Sequence, residues 1–402
     1  GGQEEETKES AKMLDVRALG LMGVLVLMHA TAAFSFSLFP SSVLSAGLQK
    51  TPLQMRPVGR QNAARQVGGR RICMLGSPLS DGDSSRLFQT VSEMEPGFLP
   101  PIGGAAIEPT ENSTVLPLFP LGAVVYTPFS EHRLNIFEPR YRAMYNDILF
   151  SGSRRFAVCT MHPDDGRFSQ YATVFYLKDL KEVSEQTNDA VKFVCDHEVI
   201  GRVKINKVLN PSAWTSGDTY LKIEAEYQED TEEMHEDVLE TEEALKDDYT
   251  RLVGLQHEIA EDVKFTKDSV TNFNTTMGKG FWTTVEMWQV FQNQRLVAKQ
   301  QEMQREFQTK LINYLTKEGG AGKLPDVVNI AELPDEMQQE VRSLQARMSD
   351  DLMPMQARDG FDMQLMIEAS SHSDRLRILR GLVQNECRRL ETKKTLKSLF
   401  AQ

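Results

Sequence analysis

Two prolines three residues apart, just ahead of a strand-to-helix junction, constrain this chain more than any other feature. They lie in Leu116-Pro117-Leu118-Phe119-Pro120-Leu121-Gly122. Proline cannot donate to a sheet ladder, so residues 116–121 read as an edge strand or an extended lead-in to one. Residues 123–126 are short and apolar and read as a strand, and residues 133–137 alternate polar with apolar and read as the next. The junction itself is Ile136-Phe137-Glu138-Pro139-Arg140-Tyr141-Arg142. Pro139 suits a first helical turn, where its missing N–H would be unpaired anyway. Glu138 places a negative charge at the positive end of that helix. Tyr141, Met144, Tyr145, Ile148 and Leu149 then recur at helical spacing, and Gly152 ends the run. Residues patterned in this way build a fold before they touch a ligand.

The region 115–228 continues as strands. Residues 155–161, 171–183, 191–195, 200–209 and 220–227 are apolar or alternate, with turns at His162-Pro163-Asp164-Asp165-Gly166, at 184–189 and at Asn210-Pro211. Six or more short strands at this spacing predict a small barrel or sandwich. At Glu224 the composition switches: residues 224–248 hold thirteen Asp/Glu and one Lys, a pattern expected of a solvated helix face or hinge. Helical periods follow. One carries Ala244, Leu245, Leu252, Val253, Leu255 and Ile259; another runs from Trp288 through Phe307 to Tyr314, before Gly319-Gly320. Leu333-Pro334-Asp335 opens a third with Met337, Val341, Leu344 and Met348, and residues 361–369 and 373–399 give two more, the last capped by Ser373 or Asp374. Between them Phe265, Phe273, Phe281, Trp282 and Trp288 crowd around Gly278-Lys279-Gly280, a loop signal. Phe273, Phe281, Trp282 and Trp288 are therefore candidate partner anchors, since aromatic residues on a loop dominate many interfaces. The competing reading has the same rings filling a groove between barrel and helices.

The opening motif resembles that of the Lon N-terminal domain, the substrate-recognising module of ATP-dependent Lon proteases. The matching residues are Pro117, Phe119 and Pro120, then Phe137, Glu138, Pro139, Arg140 and Tyr141. The strand and acidic-glycine turn ending at Gly166, the Gly201-Arg202 strand, and the closing helix with Ser373-Asp374-Arg375-Leu376 resemble later parts of the same domain. The resemblance spans about residues 115–395. It implies an α+β fold, a PUA-like β pseudo-barrel at 113–230 followed by an α-helical bundle subdomain at 231–400. It also implies a non-catalytic module that recognises polypeptide clients, delivers them to a separate protease or chaperone, or serves in assembly and quality control.

Three features bound that expectation. Residues 1–80 read as an address: an apolar run at 18–28 followed by Ala30, Thr31, Ala32 and Ala33 suits a signal peptide ending at 33. From 16 to 80 there is no Asp or Glu, and residues 34–80 carry scattered Lys and Arg, as in a transit peptide. The two together resemble the two-part plastid address of algae with secondary plastids; secretion is the alternative. Met13 is a more natural start, which makes 1–12 an extension, and 81–112, rich in Pro, Gly and Ser, reads as a linker.

The whole chain carries a net charge of −12; its first 80 residues hold nine basic and five acidic groups, so the remainder carries 36 basic and 52 acidic groups, or −16. That balance disfavours non-specific binding to nucleic acid or anionic membrane. Cys73, Cys159, Cys195 and Cys387 form no Cys-x-x-Cys pair, which argues against a zinc cluster or thioredoxin-like motif.

Catalytic motifs fail at definite positions. A P-loop around Gly322-Lys323 would need glycine where Lys317 stands and Ser or Thr where Leu324 stands, and Gly278-Lys279 meets Phe273 and Gly280 in those places. His197-Glu198, His235-Glu236 and His257-Glu258 each lack the second histidine of a zinc helix. The expectation is a stand-alone member without the ATPase or Ser–Lys peptidase of Lon proteases, with no cofactor and no metal. RNA binding through the PUA-like fold, a cryptic ATP-independent hydrolase and a small-molecule binder are the rival readings.

Overall fold

The computed structural model describes residues 13–15, 94–122, 124–230, 236–318, 327–329 and 334–400. The address segments 1–33 and 34–80 lie outside them, apart from the strand β1 (Met13–Asp15), which pairs antiparallel with β8 (Val327–Asn329).

The β half comprises β2 (Thr114–Pro120), β3 (Glu131–Ile136), β4 (Arg155–Cys159), β5 (Tyr171–Glu182), β6 (Phe193–Val208) and β7 (Leu221–Gln228). Their order is β3-β6-β5-β4-β2-β7, and β6 pairs β7 as well, which closes the sheet on itself. Closure depends on the length of β6. Its first half lies between β3 and β5, and its second half, from Arg202, lies between β5 and β7. The result is an irregular ring with β3 as a flap, not a regular barrel. Helix α1 (Pro139–Phe150) follows β3, as Pro139 and the 3.6-residue period predict, and buries Tyr141, Met144, Tyr145 and Ile148.

The structure departs from the sequence pattern in three stretches of the β half. β2 is not an edge strand; it lies between β4 and β7. Its prolines are tolerated because each has a single neighbour. Pro117 faces Lys222 of β7 before the β4 pairing begins at Leu118, and Pro120 pairs only with β4 after the β7 pairing ends. Residues 124–126 are a loop, not a strand; Val125 turns into the helical core and its carbonyl accepts a 2.7 Å hydrogen bond from Gln289. The two strands expected at 191–195 and 200–209 are one. Gly201 does not break it, because a bulge at Ile200 re-registers β6 between Val199–Phe175 and Gly201–Val174.

The helical half follows the one-turn helix α2 (Ser212–Ser216) and β7. It consists of α3 (Glu236–Glu258), the single turn α4 (Ser269–Asn272), α5 (Lys279–Glu318), α6 (Asp335–Glu368) and α7 (His372–Phe400). The helices expected at 335–348 and 361–369 are a single α6 that runs through Pro354 and Gly360. The cap of α7 comes two or three residues earlier than expected: Ser371 Oγ accepts from the Asp374 amide at 3.0 Å. The first part of α5 and the last part of α6 pack on α3 and α7. The end of α5 and the start of α6 form a hairpin held by Leu311, Met337, Phe307 and Tyr314, with Lys310–Glu340 and Arg347–Glu306 ion pairs alongside.

Candidate functional site

Most motif residues at the strand-to-helix junction pack against one another. Phe119 and Tyr141 stack at 3.9 Å. Arg140 pairs with Glu138 at 2.9 Å and lies 4.7 Å from the centre of the Tyr141 ring, which fixes the first turn of α1. Phe137 remains partly exposed. Gly166 has φ +69° and closes the 162–166 turn by donating its N–H to His162 O.

The four candidate anchors are not on a surface. Phe273, Phe281, Trp282 and Trp288 are 7, 1, 3 and 4% exposed in the core of the helical half. Phe273 stacks on Tyr249 at 4.1 Å, and Phe281 meets His372 edge-on at 5.1 Å. Burial, not partner recognition, accounts for this aromatic crowding.

Two distant motif arginines meet where the halves join. Arg202 of β6 donates to the carbonyls of Ile367 at 2.6 Å and Ala369 at 2.9 Å, and pairs with Asp230 at 2.6 Å. Arg375 of α7, fully buried, donates to the same Ala369 carbonyl at 2.8 Å and pairs with the second oxygen of Asp230. The two guanidiniums thus satisfy the last carbonyls of α6 where its dipole is negative. Burial, and then the nearby Arg375, lower the Arg202 pKa to about 10 although Asp230 opposes them. The acidic run is therefore not merely a solvated face. Asp230 sits in this clasp, Glu224 is held at about 2 chiefly by the Thr110 amide, and Asp248 accepts from Arg380 and Gln384.

The groove on the other side of the junction is occupied by a segment expected to be a linker. Residues 94–99 lie extended between the stretch leading into β5 and helix α6. Leu99 N donates to Phe168 O at 2.8 Å and Gln170 N to Gly97 O at 2.9 Å, the pattern of an added antiparallel strand. Helix α6 holds the opposite side: Gly97 N donates to Glu368 Oε1 at 2.8 Å and Arg358 to Met94 O at 3.1 Å. The Phe98 ring sits among His162 at 4.9 Å, Phe361 at 5.9 Å and the Arg167 guanidinium at 5.6 Å. The sequence signal was an apolar island, Met94, Phe98 and Leu99, within a Pro/Gly-rich stretch.

Beside Phe98 the groove opens into a cleft of about 430 Å³ including its mouth, with an inner space of about 40 Å³. Val125 and Met161 line the barrel side, and Met353, Ala357 and Phe361 line α6. Gln364 ties the walls together: it donates to Tyr171 O at 3.0 Å and accepts from Thr160 Oγ1 at 3.3 Å. Burial pushes the neighbouring carboxyls up, Glu368 to about 7 despite the Gly97 amide, and Asp362 to about 7 despite Arg358. The cleft is apolar with a few directed polar groups, the usual make-up of a binding site.

Among the described residues Ser130 and His132 form a hydroxyl–imidazole pair at 2.7 Å. Ser130 Oγ donates to Thr127 O at 2.6 Å, so His132 Nε2 must be the donor to it and is not placed to take its proton. Ser130 is buried, and burial lowers both His132 and its neighbour His197 to about 4. Tyr145 and His197 complete a packed polar network at 2.7 Å. Among the described residues Cys159, Cys195 and Cys387 are buried free thiols, no His/Cys/Asp/Glu group could hold a metal, and no helix is long and apolar enough to cross a membrane.

No family model matches this chain, and no curated protein matches it. Among solved structures it is similar to the crystal structure of a Lon N-terminal domain protein from Xanthomonas campestris, at 21% identity over 44% of this chain and 96% of that one, TM-score 0.27. It is similar also to the N-terminal domain of the Mycobacterium avium complex Lon protease, at 14% identity over 60% of this chain and all of that one, TM-score 0.27.

Proposed function

We propose that this chain is a polypeptide-recognition module that binds extended segments in the groove between its sheet ring and α6, and acts as an adaptor or assembly factor. The observation that carries the reading is the bound state of residues 94–99. A peptide segment lies there as an added strand, its backbone met from both sides, next to an apolar cleft that is only partly filled. In strand addition the backbone contact supplies affinity and the side-chain pockets beside it supply selectivity. The sequence motifs resembling Lon N-terminal domains imply the same ligand class. The proposed setting is a plastid reached through residues 1–80; a fluorescent protein carrying that segment should enter plastids, and its release to the medium would favour secretion instead.

The direct test is fluorescence anisotropy with a permanently unfolded protein, reduced and carboxymethylated α-lactalbumin, as probe. Saturable binding to the full chain is expected. The double variant Met353→Ser/Phe361→Ser should weaken it by about tenfold or more, since each removes a large apolar contact of roughly 1.5–3 kcal/mol. Binding indifferent to both substitutions would move the site elsewhere. Absent binding, with affinity for a short labelled RNA, would replace the reading by nucleic-acid recognition.

A further inference from the structure

Resting on the polypeptide-binding reading, we infer that residues 94–99 are an internal ligand: they occupy in cis the position a client segment takes in trans, and the site selects a glycine followed by an aromatic and an aliphatic residue. Met94-Glu95-Pro96-Gly97-Phe98-Leu99 spells that pattern.

The selection follows from the contacts at each position. A Cβ on Gly97 would come within 3.2 Å of Gln170 Oε1 and 3.6 Å of Glu368 Oε1, while its amide is held by Glu368 and its carbonyl by the Gln170 amide. A Cβ there requires the Gln170 side chain to give by a few tenths of an ångström, and a β-branched residue crowds it and Glu368 further, so glycine is preferred by close approach, not by an unusual φ. The next residue faces a ring, a ring and a guanidinium, from His162, Phe361 and Arg167, which suits an aromatic side chain. The third, Leu99, enters the apolar interior of the sheet ring with Leu118, Phe168 and Val203.

The attachment on the C-terminal side permits departure. Residues 100–112 are exposed except the half-buried Ile102; they include Pro100, Pro101, Gly103 and Gly104, and beyond these Ile107 N donates to Leu209 O. Gly104 has φ +105°, and neither Gly103 nor Gly104 has an atom within 4 Å of a built Cβ. The segment is thus tethered by an exposed Pro/Gly run, so its local concentration at the groove is high, and a free client of equal intrinsic affinity binds only to the fraction of molecules in which the groove is open.

The experiment uses the full chain and a labelled peptide of residues 92–101 as probe, with the unfolded α-lactalbumin run in parallel. Wild type should bind the peptide weakly. Gly97→Val and Phe98→Ser, which loosen the tethered copy, should bind it at least tenfold more tightly, and a peptide carrying valine in place of its glycine should lose that affinity. A measurement on the unmutated chain guards against misfolded variants: saturating peptide should raise hydrogen exchange at the Gly97 and Leu99 amides. Peptide binding that leaves those amides protected, or no gain in well-folded variants, overturns the inference. If α-lactalbumin still binds in that case, the recognition reading stands without it; if neither probe binds, both fall.

Discussion

At the scale of single residues, burial separates what the sequence disclosed from what it concealed. The Pro139 turn and the Tyr141, Met144, Tyr145 and Ile148 stripe were legible because backbone preference and hydrophobic period agree there. Phe273, Phe281, Trp282 and Trp288 were not, because an aromatic cluster looks the same in sequence whether it faces solvent or a core. Trp282 is 3% exposed and lies under Arg375, so Trp282→Ala should cost about 3–5 kcal/mol of stability. Chemical denaturation checks this. A change below 1 kcal/mol, with client binding lost instead, would restore the ring as an anchor.

At the scale of elements, the strands that misled are those whose neighbours come from far away in the chain. β2 carries two prolines yet is internal, because its two partners overlap only at Leu118. β6 was divided at a glycine that in fact sits beside a bulge. The 94–99 segment was read as a linker because its hydrogen-bond partners lie over 60 and over 260 residues away. Its docking should depend on pH. Glu368 is raised by burial to about 7 while facing only the Gly97 amide and Gln364; Asp362, beside Arg358 and Asp359, is also raised by burial to about 7. A carboxyl raised in the docked state favours docking below its free value and loses that contribution as pH rises through about 7. Hydrogen exchange at the Gly97 amide, corrected for intrinsic rate, should therefore show more opening at pH 8 than at pH 5.5. Glu368→Gln, which keeps an acceptor for that amide, should flatten the profile; an unchanged profile would remove Glu368 as the cause.

For the whole molecule, the decisive contact is the one that turns a sheet ring and a helical body into a single unit. The Gly-Arg strand and the Ser-Asp-Arg helix start were both visible in sequence, 173 positions apart between Arg202 and Arg375, but nothing in either motif reveals that they share Asp230 and the end of α6. Asp230→Ala leaves two buried guanidiniums without their common counter-ion and should cost about 3–5 kcal/mol. Because the lost contact lies between the halves, unfolding followed by tryptophan fluorescence and by far-ultraviolet circular dichroism should cease to coincide, the helical half holding Trp282 and Trp288 and the ring holding Trp214. A buried ion triad can often be replaced by apolar residues without loss. Here the triple variant Arg202→Met/Asp230→Leu/Arg375→Met should not recover wild-type stability, because Ile367 and Ala369 would lose the donors that satisfy their carbonyls, at about 1–3 kcal/mol for each carbonyl left unpaired. Full recovery in the triple variant would mean that the arginines serve only to balance Asp230, and that the end of α6 is satisfied without them.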